Sequence, residues 1–290
     1  MIGHSLILER LKAEAREGRL HHAHLFVGPE HVGKTATALA LAVFLQGGEE
    51  NVLVKKAVLE GLEQDTILAL DTGEGLGIEE VRELIARAGQ SHSRPYLVVV
   101  IENIGRMKPE AMNALLKTLE EPGEGTVFLL TANQEEDVLP TIASRCHVSR
   151  FQTVPDTEMV AACEGHVQTE RLLFFAMGRP GKLKRLMADA EYLAAHERLF
   201  LDVGSFTEKP STPGVFALVR KYEEDPLLPE LLDILLRRLR NWALSGQTPQ
   251  VLRGLDLSTA LEKVEDAKVA LKNNVNTRLL MENLFLTFVP

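Results

Sequence analysis

Cysteine is nearly missing from this chain, with two residues, Cys146 and Cys163, among 290. Neither has a partner at short spacing, so a structural zinc site of thiolates is excluded by count. Both read as reduced, packed thiols. Long apolar runs are also missing: the longest uncharged ones, residues 96–101 and 127–132, are strand-length and fall far short of the ~20 residues that span a bilayer. No membrane partner is expected. The N-terminal segment meets Glu9, Lys12 and Glu14 early and lacks the basic start and apolar stretch of a secretory signal, which predicts a cytoplasmic protein. Positive charge is short as well. Forty-one acids against 32 bases leave a net charge of −9, the reverse of a protein that wraps nucleic acid unaided.

What is present is an ordinary globular balance, 45% hydrophobic and 25% charged, at a length that suits about two domains of ~150 residues each. Residues 5–18 carry Leu8, Leu11 and Ala15 at helical spacing, and residues 24–27 form an apolar run that enters a glycine turn. Residues 35–46 then suit a buried helix. Strand readings follow at 66–70, 96–101 and 126–131, with helices at 78–88 and 109–119 between them. These strands do not alternate, which predicts burial on both faces and an open parallel sheet flanked by helices over the first ~150 residues. Beyond Pro155 the pattern turns helical, at 159–166, 169–177, 183–196, 215–222, 227–244 and 258–286. A domain break is placed near residues 205–214, where Lys209-Pro210 and Pro213-Gly214 supply turn chemistry.

Gly28-Pro29-Glu30-His31-Val32-Gly33-Lys34-Thr35 matches G-x-x-x-x-G-K-[ST] between a strand and a helix, the context a phosphate-binding loop requires. Its N–H groups would cradle an anion at a helix N-terminus, with Lys34 on the terminal phosphates and Thr35 on magnesium. His31 stands where a glycine is often found and calls for an unusual backbone angle. Glu102 closes the later apolar strand and could reach magnesium. The next residue, Asn103, is uncharged and cannot serve as the base that polarises water.

Taken with Ile2-Gly3-His4, the run HHAHLFVGPEHVGKT over 21–35, GIEEVREL over 77–84, MNALLKTLEEP over 112–122, LLTANQ over 129–134, LPTIASRC over 139–146 and NNVNTRLLMENL over 273–284, the chain resembles clamp-loader subunits of the AAA+ superfamily, bacterial DNA polymerase III delta-prime subunits in particular. The resemblance implies an α/β P-loop domain with a five-stranded parallel sheet at 1–152, a helical lid at 153–208 and a helical collar at 209–290. It implies a stator in the assembly that opens the sliding clamp and places it on primed DNA. Its partners would be gamma/tau-type and delta-type subunits, with clamp and primed DNA met through the complex. Arg145, in Ser144-Arg145-Cys146, would act as a finger on ATP held by a neighbour. Asn133 would take the phosphate-sensing position after the fourth strand. Gly181 falls where related ATPases place a lid arginine, with Arg179 or Lys182 as substitutes.

The Glu102-Asn103 pair and Gly181 together favour a subunit whose own binding of ATP and magnesium is weak or absent and which turns over no ATP. The alternative is an active gamma-type motor or a related AAA+ loader. Many delta-prime chains carry a four-cysteine zinc module, whereas residues 47–65 here contain no cysteine, so no zinc is expected. His21, His22 and His24 crowd one strand entry without a carboxylate or thiolate at matching spacing, and read as structural. Arg237, Arg238 and Arg240 read as a charged helix face before a nucleic-acid site.

Overall fold

The computed structural model describes residues 2–73, 75–252, 254–271, 273 and 275–289; Asn274 of the quoted C-terminal motif lies outside the described residues. Two compact units emerge, Met1–Thr169 with Gly178–Lys182, and Glu170–Met177 with Leu183–Pro290.

In the first unit, helix α1 (Ser5–Arg16) precedes strand β1 (Ala23–Val27), followed by α2 (Lys34–Leu45), α3 (Val52–Leu59), β2 (Thr66–Ala69), α4 (Ile78–Ala88) and β3 (Leu97–Ile101). Then come α5 (Pro109–Glu120), β4 (Thr126–Ala132), α6 (Pro140–Ala143), β5 (His147–Arg150) and α7 (Asp156–Met159). The strands form one parallel sheet in the order β2-β3-β4-β1-β5. Every residue of β1, β3 and β4 is buried, as their lack of alternation predicts. Leu25, Val99, Ile101, Phe128 and Leu130 pack with Val81, Leu84, Met112 and Leu115 of α4 and α5 on one face. Phe26, Val98, Val100 and Leu129 pack with Leu11, Ala38 and Leu41 of α1 and α2 on the other.

Parts of this unit differ from the sequence reading, strand β5 among them, since the residues themselves predict no strand at 147–150. Helix α3 forms in a stretch rich in Glu and Lys, started by Asn51, whose side chain accepts the N–H groups of Leu53 and Val54 at 3.0 and 3.2 Å. Residues 159–166 do not form a regular helix. The four residues of α7 give way to a 3₁₀ turn at Val160–Cys163, which Gly165 in a left-handed conformation does not allow to continue.

The second unit contains most of α8 (Thr169–Ala176), the later part of α9 (Pro180–Ala188), and α10 (Ala190–Glu208), α11 (Thr212–Tyr222), α12 (Leu228–Ser245), α13 (Leu257–Ala270) and α14 (Thr277–Leu286). The helix predicted over 183–196 is two helices, because Asp189 leaves the helical region and caps α10 by accepting the Tyr192 N–H at 2.9 Å. Asn276 divides the predicted 258–286 stretch in the same way, capping α14 through the Leu279 N–H at 3.0 Å. Helix α10 runs through Ser205 to Glu208, and the following turn ends at Ser211, which caps α11. Phe206, Phe285 and Phe288 meet in the core of this unit, with the first two ring centroids 5.3 Å apart. The basic run of α12 is taken up by packing. Arg237 lies over the Phe174 ring, Arg238 over Phe200 and Trp242, and Arg240 pairs with Glu265 at 2.6 Å.

Candidate functional site

The C-terminal ends of parallel strands leave a crevice above the sheet where loops diverge, and five such ends meet in the first unit. Strand β1 delivers the glycine loop. Gly28 is there for space: a Cβ on it would come within 2.1 Å of the Phe151 carbonyl oxygen, at a backbone φ of 154°. His31 holds φ 65°, the left-handed value expected from its place in the loop, and Gly33 reaches φ 113° immediately before α2. The chain thus spends two awkward conformations to turn the loop onto the helix N-terminus.

Lys34, the first residue of α2, folds back under the loop. Its ammonium donates to the carbonyls of Gly28 at 2.6 Å and Pro29 at 2.7 Å and to Asn133 Oδ1 at 3.2 Å. Burial pushes its pKa down to about 8, against the pull of the Glu30 and Glu102 carboxylates. Thr35 donates its hydroxyl to Glu102 Oε1 at 2.5 Å, while the Asp71 N–H donates to Glu102 Oε2 at 3.1 Å. Asn133 also donates to Glu30 at 2.9 Å. Gly33, Lys34, Thr35, Glu102 and Asn133 therefore share one cleft of about 360 Å³ with Asn103, while Gly28 is not part of its lining.

Two members of the cleft escaped the sequence reading. Asp71 follows β2 and accepts the Asn103 side-chain amide at 2.9 Å. Arg106 pairs with Asp71 at 3.1 Å and reaches Glu30 at 3.7 Å. Asn103 still lacks a basic atom, yet a carboxylate stands directly beside it. The signal was available for Asp71, because every strand end of a parallel sheet faces the same crevice. None was available for Arg106, which reaches the cleft from a 3₁₀ turn at Ile104–Arg106 that no periodicity marks.

At the position of the expected lid arginine, Gly181 packs its backbone on the loop. Its N–H donates to the His31 carbonyl at 2.7 Å, and a Cβ would stand 3.0 Å from that oxygen. A side chain of any kind is crowded there. Arg179 and Lys182 do not replace it: the cleft lining includes Gly181 and neither of them.

Arg145 lies elsewhere. It precedes β5, which runs parallel to β1 with His147 opposite His24, so it sits beside the entry of β1 while Lys34 follows its exit. Five strand residues at ~3.3 Å each place the two ends roughly 16 Å apart before side chains are counted. Arg145 lines a separate open hollow with His21, His22, Glu120 and Ser144. Its guanidinium pairs with the Glu120 carboxylate and donates to the Thr141 carbonyl at 2.7 Å.

The neighbouring histidines are packed groups. His21 and His22 stack at 4.3 Å, and His22 shares a hydrogen bond with the Leu119 carbonyl at 3.0 Å. His24 is fully buried with neither ring nitrogen hydrogen-bonded; burial first, then the nearby His147, His21 and Arg10, lowers its pKa to about 3. Among the described residues no group of three or more His, Cys, Asp or Glu is arranged to hold a metal ion. Cys146 is held as a neutral thiol, burial pushing its pKa up to about 12. No helix among the described residues is long and apolar enough to cross a membrane.

The α/β unit and helical region have counterparts among solved structures. A DNA polymerase III gamma subunit-related protein from Thermotoga maritima superposes with a TM-score of 0.58 at 20% identity, covering 97% of this chain and 98% of that one. The RuvB Holliday junction branch migration motor of the same organism gives 0.50 at 15% identity, with 82% and 88% covered. At these identities the likeness establishes the fold. In sequence, the DNA polymerase III subunit gamma/tau of Mycobacterium bovis is 33% identical over 171 residues, 56% of this chain and 29% of that protein. The replication factor C small subunit of Halobacterium salinarum is 30% identical over 174 residues, 59% and 50% respectively. The chain thus spans less than a third of the first relative and half of the second. The family described as DNA polymerase III, delta subunit matches residues 3–155, which include the glycine loop, the cleft carboxylates and Arg145. With more than half of its length so matched, the chain belongs to this clamp-loader family of the AAA+ superfamily.

Proposed function

We propose that the chain is a delta-prime-like stator of a DNA polymerase III clamp loader, supplying Arg145 to ATP held by an adjacent subunit. The observation that carries the reading is the separation of Arg145 from Lys34 by the length of β1. A guanidinium at that end of the sheet cannot reach a phosphate held by its own loop, whereas a neighbour's nucleotide can be brought to it. Arginine suits this task because its planar, permanently charged fork bonds phosphoryl oxygens in pairs as charge develops on them. In this reading residues 1–152 are the P-loop domain, 153–208 the lid and 209–290 the collar. The partners are gamma/tau-type and delta-type subunits, with the sliding clamp and primed DNA met through the assembly in the cytoplasm.

The chain's own cleft fits Mg-ATP only in part. Lys34, Thr35, Glu102 and Asn133 have the donors and acceptors to hold it, and bound magnesium would supply charge neutralisation at the phosphates. Lys34 must first leave two loop carbonyls, and Gly181 offers no cation. Weak binding without turnover follows.

The test is Arg145→Ala in the reconstituted loader. It should assemble normally and lower DNA- and clamp-stimulated hydrolysis at least tenfold at the neighbouring site, since such fingers contribute ~10³ to 10⁵ in GTPases. Arg145→Lys should recover little of it. Unchanged hydrolysis and clamp loading would refute the finger. A second reading, an active gamma-type motor, is favoured by the Asp71 carboxylate beside Asn103 and Glu102, and it requires ATP turnover that depends on Lys34.

A further inference from the structure

The LLKTLEEP segment is among the most distinctive stretches of this sequence, and the cleft makes no use of it. Helix α5 ends there because Pro122 forces the residue before it out of the helical region: Glu121 has φ −127° and ψ 70°. The last turn is anchored from two sides. Leu119 is buried, and its carbonyl meets the His22 ring at 3.0 Å. Glu120, the final helical residue, is thereby fixed in position with its carboxylate turned to the surface.

That carboxylate meets Arg145. One terminal nitrogen of the guanidinium donates to Glu120, and the other donates to the Thr141 carbonyl at 2.7 Å. The nitrogens that would grip a phosphoryl group are therefore engaged within the chain. The side chains of Arg145 and Glu120 remain 33% and 49% exposed, so the pair sits in water at the rim of the hollow. Exposed pairs of this kind are weak and exchange readily. A carboxylate on Arg145 and a phosphate on Arg145 are also mutually exclusive, because they claim the same N–H groups and repel each other.

We propose that Glu120 is a positioning residue that holds the Arg145 guanidinium on its own chain until a phosphate group presented by an adjacent subunit takes its place. The inference rests on the finger reading and adds the control of that finger. It gives the LLKTLEEP helix end a purpose: Pro122 stops the helix at the residue whose carboxylate faces Arg145. It also sets an order of events. In the loader without DNA and clamp the arginine is divided between Glu120 and the neighbouring nucleotide, and only full engagement of the interface draws it away entirely.

The experiment uses the reconstituted loader carrying Glu120→Gln, Arg145→Ala or both, with hydrolysis of ATP measured with and without primed DNA and clamp. Glutamine keeps the shape of the side chain and removes its charge. Glu120→Gln should raise unstimulated hydrolysis by about two- to fivefold, the range an exposed ion pair allows, and leave the stimulated rate unchanged. The ratio of stimulated to unstimulated turnover falls accordingly. In the Arg145→Ala background the same change should have no effect. An unstimulated rate unaltered by Glu120→Gln, or a stimulated rate lowered by it, overturns the proposal while an Arg145→Ala defect leaves the finger standing. An Arg145→Ala loader with full hydrolysis removes both. Thermal unfolding of each variant chain should match the parent; if Glu120→Gln melts early and raises turnover even without Arg145, the effect is structural and the proposal fails.

Discussion

The two ends of the central sheet are built on opposite plans. At the strand exits, Lys34, Thr35, Asp71, Glu102, Asn103, Arg106 and Asn133 are joined to one another and to the loop by hydrogen bonds and ion pairs, so the cleft is satisfied by its own chain. At the strand entries, Arg145 is a single guanidinium at a rim, held by one exposed carboxylate and a carbonyl. Polar groups that saturate one another rigidify a site and leave a ligand little to gain, whereas a half-exposed ion pair is easily exchanged for a better partner. The difference supports the proposed reading, in which the second end rather than the first serves interaction.

Several changes would sharpen or break that contrast. The largest effect is expected from Gly28→Ala, which forces a methyl group into the Phe151 carbonyl at a strained φ. It should cost about 3 kcal/mol by denaturant unfolding, with or without nucleotide. A variant as stable as the parent would show that the loop is looser than its contacts suggest. Next comes acid sensitivity. His24 binds no proton in the folded chain until about pH 3, whereas its unfolded counterpart does so near 6.5. The unfolded state therefore takes up more protons between these values, and stability falls as pH drops through that window by up to about 1.4 kcal/mol per unit. His24→Phe should flatten this slope in urea titrations at pH 7, 6 and 5.

A smaller effect concerns Lys34. Its pKa near 8 means that it loses its proton above that pH, so any phosphate ligand must bind with proton uptake, and nucleotide affinity should weaken several-fold from pH 7.5 to 9. Calorimetry in buffers of different ionisation heat would detect that proton; a pH-independent affinity would place the phosphates away from Lys34. The smallest expected effect is Lys34→Ala on clamp loading by the whole complex. Near-parent loading supports the stator, and a severe loss supports the motor.

Much of the α/β unit could be read before the structure was seen, since strands buried on both faces declare themselves by uniform apolarity. Strand β5 did not, because His147, Val148, Ser149 and Arg150 form a short edge with only Ser149 buried. In the helical half the heptad-like spacing persists across Asp189 and Asn276, so the breaks depend on capping geometry that apolar periodicity does not report. The glycine loop and Glu102 were legible because their spacing is fixed by local chain geometry. Arg106 and Glu120 were not, since each reaches its partner between segments far apart in sequence, whereas Asp71 was signalled by its place at a strand end.

Strand β1 has a further consequence, for symmetry. It is a short, fully buried rod with the cleft at one tip and the arginine hollow at the other. Two copies related by a two-fold axis bring like surfaces together, and a compact patch on this unit cannot contain both tips. If Arg145 acts as proposed, it and a cleft so placed are matched only head to tail, through a heterologous interface that closes into a ring or winds into a spiral. Such an arrangement has polarity, and an open one has a first and a last member. On the proposed reading, a chain that offers Arg145 forward while its own cleft turns over no ATP is suited to stand at one end.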